Sequence, residues 1–62
     1  MKVRDIIKAI EKDGWTIKRA RGSHRQFTHP AKKGKVTVNG HPGDDVRIND
    51  LKSIERQSEL KF

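Results

Sequence analysis

The sequence predicts an α+β fold with the element order αβββα, and three observations carry the prediction. Apolar residues recur at helical spacing near the start, the spacing switches to alternation after Gly14, and helical spacing returns near Asn49. With 62 residues the chain holds one domain, taken as residues 1–62, because so short a chain buries only about 60 % of the surface its unfolded form exposes. Hydrophobic residues are 31 % of the sequence, so apolar burial and ordering cost nearly cancel and the expected stability is marginal.

Val3, Ile6, Ile7 and Ile10 stand at i, i+3, i+4 and i+7, one stripe of a helix over about 3–12, with Lys2, Arg4, Asp5, Lys8, Glu11 and Lys12 around the rest. Asp13-Gly14 ends it, since glycine reaches the left-handed backbone that closes many helices. Trp15 and Ile17 then share one parity and Thr16 and Lys18 the other, which reads as a strand with one wet face. Arg21-Gly22-Ser23 breaks that strand. In the next one Arg25 and Phe27 face one way and His24, Gln26 and Thr28 the other. His29-Pro30 and Lys32-Lys33-Gly34 connect to a third, Lys35 to Val38, with Val36 and Val38 opposite Lys35 and Thr37. Short glycine- and proline-bearing connections imply an antiparallel meander. The turn formers from Asn39 to Asp45 lead away from the sheet. Asn49 is placed to cap a second helix, with Asp50 in its first turn and Leu51, Ile54 and Ser58 on its apolar side.

Three strands and two striped helices pack economically one way, with both helices on the face bearing Trp15, Ile17, Phe27, Val36 and Val38. The face left open carries Thr16, Lys18, His24, Gln26, Thr28, Lys35 and Thr37.

The distribution of charge narrows the function. All 8 acidic residues lie at Asp5, Glu11, Asp13 or from Asp44 onward. The acid-free middle holds Lys18, Arg19, Arg21, Arg25, Lys32, Lys33 and Lys35, which equal the whole net charge of +7 because the other Lys and Arg cancel the acids. Scattered excess charge is ordinarily a solvated surface. A contiguous block without counter-charge points instead to an anionic partner, nucleic acid ahead of membrane. Cysteine is absent, which removes disulfides, thiolate nucleophiles and zinc–cysteine sites, and makes the cytoplasm the expected compartment. The longest apolar run is Ile6-Ile7, against the roughly 18 residues a membrane span needs, and no signal-peptide core follows Lys2. Neither a metal site nor a small-molecule cofactor is expected, since His24, His29 and His41 have no carboxylate among them.

His24 is the candidate for chemistry. An exposed strand histidine is ordinarily unremarkable, but this one is on the open face, follows the flexible Gly22-Ser23 pair and sits inside the cationic block. Imidazole exchanges protons near neutrality, and in RNA the proton to remove is on the 2′-hydroxyl that attacks the adjacent phosphorus. DNA lacks that nucleophile. Gly22-Ser23 reads as a tight turn that also allows a phosphate close to the backbone. His29 and His41 precede prolines and read as structural or incidental. Trp15, in register with Ile17, reads as core and not as a base-stacking platform. The residues alone leave open a nuclease using His24, a non-catalytic module that recognises A-form RNA, and a basic protein that meets an acidic one.

Lys-Asp-Gly-Trp at 12–15, Arg21-Gly22-Ser23-His24-Arg25-Gln26-Phe27, His29-Pro30, Gly34-Lys35-Val36-Thr37-Val38 and His41-Pro42 together resemble HicA-type toxins, over about residues 1–60. The resemblance implies a double-stranded-RNA-binding-domain-like fold and an interferase of free or ribosome-associated mRNA, neutralised by an acidic HicB-type antitoxin. His24 matches the family's catalytic histidine, and Gly22 and Ser23 the residues leading into it. With the open face and the charge block, it makes Lys18, Arg21, Gly22, Ser23, Gln26, Lys33 and Lys35 the expected RNA contacts. The sequence departs from the family pattern at 43–50 and at Glu55, Ser58 and Glu59.

Overall fold

A computed structural model describes residues 1–62, and its elements follow the expected order: α1 Val3–Lys12, β1 Thr16–Arg21, β2 His24–Thr28, β3 Val36–Val38 and α2 Ile48–Ser58. The strands form one antiparallel sheet in the order β1-β2-β3. Val3, Ile6 and Ile10 from α1 and Ile54 from α2 join Trp15, Phe27, Val36 and Val38 in one buried cluster, so both helices cover the same face.

No side chain caps α1 at Lys2. The loop after β3 does so instead: the Val3 N–H donates to the Asp44 carbonyl at 2.9 Å and the Arg4 N–H to that of Pro42 at 3.1 Å. Helix N-termini carry amides with no intrahelical acceptor, and this loop supplies two of the missing acceptors. The Val46 N–H donates to the Met1 carbonyl at 2.9 Å, which ties the approach to α2 to the same end of α1.

At the other end of α1, Gly14 turns the chain with φ of +111°, and the Trp15 N–H returns to the Ile10 carbonyl at 3.0 Å. The left-handed Glu59 ends α2, after which Leu60 and Phe62 fold back against the core and the Phe62 N–H donates to Glu55 Oε2 at 2.9 Å. Along the free edge of β3, Gln57 Oε1 accepts from the Thr37 N–H at 3.1 Å.

Three expectations are corrected. Ile17 pairs with Phe27 and so belongs to the helix-covered face, yet it is 51 % exposed. Its strand lies at the sheet edge, all six residues of β1 are exposed, and of the strands only β2 and β3 contribute to the core. Asn49 does not cap α2: the cap position is Arg47, whose carbonyl already accepts from the Leu51 N–H at 2.8 Å, and Asn49 falls in the first turn. Lys35 precedes β3 as an exposed connection residue instead of opening the strand.

Candidate nucleic-acid interface around His24

The site is built by a conflict of register. Gly22 has φ of +60° and Ser23 has a negative φ, the pattern of a type II′ turn with glycine first. A two-residue turn here pairs Arg21 with His24, Ala20 with Arg25 and Arg19 with Gln26. The other end of β1 is held by the core, with Ile17 opposite Phe27 and Thr16 opposite Thr28. These registers differ by one residue, and the surplus is Lys18, which has no cross-strand partner. In the uninterrupted register Lys18 would oppose Gln26 and Ala20 would oppose His24. The bulge puts Arg19 and Arg21 in those places, so Arg19, which parity puts on the other face, joins the open-face residues beside Gln26.

Directly opposed residues of an antiparallel pair hold their Cβ atoms about 4.5–5.5 Å apart. Arg19, Arg21, His24 and Gln26 are therefore immediate neighbours, and with Ala20 they line an open concavity of about 490 Å³. None of these four polar side chains makes a hydrogen bond or ion pair within the chain, and His24 is exposed.

Of the expected contact residues, Arg21, His24 and Gln26 come together here, with Gly22 and Ser23 forming the turn beside them. The Ser23 carbonyl is engaged by the Gly40 N–H at 3.2 Å and by Arg25 Nη1 at 3.4 Å. Lys33 and Lys35 lie in the connection beyond the far end of β2, a strand that runs about 13 Å from His24 to Thr28 at about 3.3 Å per residue. Both are exposed and unpaired. Arg19 was not among the expected contacts. Its cue was the two-residue turn at Gly22-Ser23, which sets a register that the parity of Ile17 contradicts.

Two cations of the central block are committed elsewhere. Arg25 Nη1 donates to the Gly40 carbonyl at 2.8 Å, which pins the loop after β3 to the hairpin. Lys32 Nζ donates to Asp13 Oδ2 at 2.7 Å and to the Ser58 carbonyl at 3.1 Å, joining the ends of both helices. Its ammonium, first by that hydrogen bond and then by its charge, holds the Asp13 carboxyl below its ordinary value against a smaller opposing effect of burial.

His29 is structural, in line with its placement before Pro30. Its Nε2–H donates to the Asp13 carbonyl at 2.7 Å, while Nδ1 accepts from the Ala31 and Lys32 N–H groups at 2.9 and 3.2 Å. The ring meets Trp15 edge-on at 5.2 Å. Trp15 is fully buried, and its indole N–H has no partner. A second concavity, about 310 Å³, lies between β3 and α2 with Asp44, Asp45 and Asp50 on its wall, and shares no residue with that of His24. No helix is long and apolar enough to cross a membrane.

A search of curated proteins found no match. The fold is similar to a chain of the solved structure "HicA3 and HicB3 toxin-antitoxin complex", with a TM-score of 0.80 over 100 % of this chain and 98 % of that one at 24 % identity. The family model described as "HicA toxin of bacterial toxin-antitoxin" matches residues 3–60, which takes in both helices, the whole sheet and the turn carrying His24, and the chain belongs to that family of toxins.

Proposed function

We propose that this toxin cuts mRNA in the cytoplasm, with His24 as general acid and base on the 2′-hydroxyl. The observation that carries the reading is an unbonded imidazole on the open face of the sheet, flanked by guanidinium groups and with no acid lining the same concavity. In its neutral form His24 takes the 2′-hydroxyl proton as O2′ attacks the adjacent phosphorus. The bond from phosphorus to O5′ breaks, leaving a 2′,3′-cyclic phosphate on one product. The departing O5′ takes a proton from the imidazolium or from water. Arg21, opposite His24, is placed to offset the negative charge that builds on the phosphoryl oxygens. Gly22 and Ser23 admit the backbone closely, Gln26 supplies a neutral contact, and Lys18, Lys33 and Lys35 hold flanking phosphates. The same basic face is suited to an acidic HicB-type antitoxin, which would exclude RNA by covering it. The toxin–antitoxin description of the structurally similar complex supports that partner.

The test is His24→Ala on labelled RNA with a chelator present. Cleavage should fall by roughly 10²- to 10⁴-fold, while the fold and most RNA binding persist. A substrate with hydrogen in place of the 2′-hydroxyl at the cut site should not be cleaved. If the variant cuts as fast as the parent, or the parent never cuts RNA that it binds, a non-catalytic RNA-binding module becomes the better account.

A further inference from the structure

We infer that Arg19 and Arg21 form a paired guanidinium clamp for the phosphodiester beside His24, and that the bulge at Lys18 exists to aim them. The inference deepens the reading of this site as a nuclease centre. Both arginines lie in the register set by the Gly22-Ser23 turn, opposite Gln26 and His24, and both line the concavity that holds the imidazole. Each guanidinium offers five N–H donors in a rigid fork that matches two phosphoryl oxygens.

Elsewhere in the central block the chain uses its buried-side cations: Arg25 and Lys32 each bond protein oxygens. Arg19 and Arg21 bond none, although they stand two residues apart on one face where their charges repel. A bound anion removes that repulsion and satisfies the donors, and a phosphodiester in reach of His24 is the anion whose geometry suits both forks. Lys18, without a cross-strand partner, is the extra residue that sets this register. Bulges beside functional sites commonly re-aim a side chain in this manner.

The deciding variant conserves charge. Arg19→Ala combined with Thr16→Arg moves one guanidinium along the strand to an exposed position paired with Thr28, outside the concavity, and leaves the net charge unchanged. Single-turnover cleavage should fall by roughly 10²-fold or more, the scale of losing one transition-state donor, whereas Lys8→Ala, at an exposed α1 position outside the concavity, should stay within about threefold of the parent. Arg19→Lys, which keeps both charge and strand, should remain roughly tenfold below the parent because an ammonium cannot form the fork. Urea midpoints read from Trp15 fluorescence establish that each variant is folded.

A second measurement needs no turnover. The Arg19 and Arg21 Nε–H resonances should shift together when the parent chain is titrated with a short RNA carrying 2′-deoxy substitutions throughout. Parental activity in the charge-conserving variant, or a loss in Lys8→Ala as large as in that variant, overturns the clamp. So do arginine resonances that stay still at saturation. If the parent does not cleave RNA at all, the nuclease reading fails separately and the resonance titration alone decides the clamp.

Discussion

His29→Ala should nearly unfold this protein, and its magnitude can be worked from the contacts. The ring is 10 % exposed and makes three hydrogen bonds, one donated to the Asp13 carbonyl and two accepted from Ala31 and Lys32. At about 1 kcal/mol net each these amount to about 3 kcal/mol. The edge contact with Trp15, at 5.2 Å and 65°, adds about 0.5–1.5 kcal/mol. The loss is then about 4 kcal/mol, against a total of roughly 3–9 kcal/mol expected for 62 residues at roughly 0.05–0.15 kcal/mol each. Trp15 is the only tryptophan and touches His29, so urea denaturation followed by its fluorescence reads the affected region directly. His24→Ala, on an exposed ring without partners, should change stability by less than about 0.5 kcal/mol in the same assay. The reasoning would be refuted if His29→Ala cost under about 1 kcal/mol, or no more than His24→Ala.

Other expectations follow from the same geometry. Gly14→Ala would place a Cβ 2.8 Å from His29 Nε2 at a φ of +111°, so backbone strain and a displaced hydrogen bond should together cost at least about 2 kcal/mol by urea denaturation. The Asp13 carboxyl is lowered from its ordinary 3.8 by Lys32, so the pair stabilises the fold fully above that pH and loses its effect as pH falls through the lower folded value. Lys32→Met should therefore be less stable than the parent at pH 7, with the gap closing below about pH 4, and a gap that widened in acid would contradict the pairing. Ile17→Thr should be nearly neutral, within about 0.5 kcal/mol, because the side chain is already largely in water. RNA binding should weaken with salt at a slope no steeper than about −3.5 for a single strand, since Arg25 and Lys32 are committed and at most Lys18, Arg19, Arg21, Lys33 and Lys35 are free to release counterions. A slope near −5 would show that the committed pair also reaches the backbone.

Hydrophobic periodicity was sufficient for the architecture. The stripe from Val3 to Ile10 and the alternation of Phe27, Val36 and Val38 depend on local geometry, which repeats every 3.6 or 2 residues wherever a face is buried. The acid-free stretch and His24 after Gly22-Ser23 were equally open to reading, because side-chain chemistry and turn preference are local properties. Parity failed in β1 for a reason that is not local. The core holds Ile17 opposite Phe27, the turn holds Arg21 opposite His24, and only their meeting in three dimensions forces Lys18 out of register. Asn49 failed as a cap for a similar reason: α2 begins at Ile48, just after Val46 is tied to Met1, a residue far from it in the sequence. Sequence composition likewise counted seven central cations without showing which are spent. Arg25 and Lys32 are consumed by Gly40, Asp13 and Ser58, partners that only the packed fold brings within hydrogen-bond distance. The sequence by itself thus determined the elements, the sign of the face and the exposed imidazole on it, while the identity of the arginines beside that imidazole was decided by the tertiary structure, because two distant constraints on one edge strand can be reconciled only by an extra residue between them.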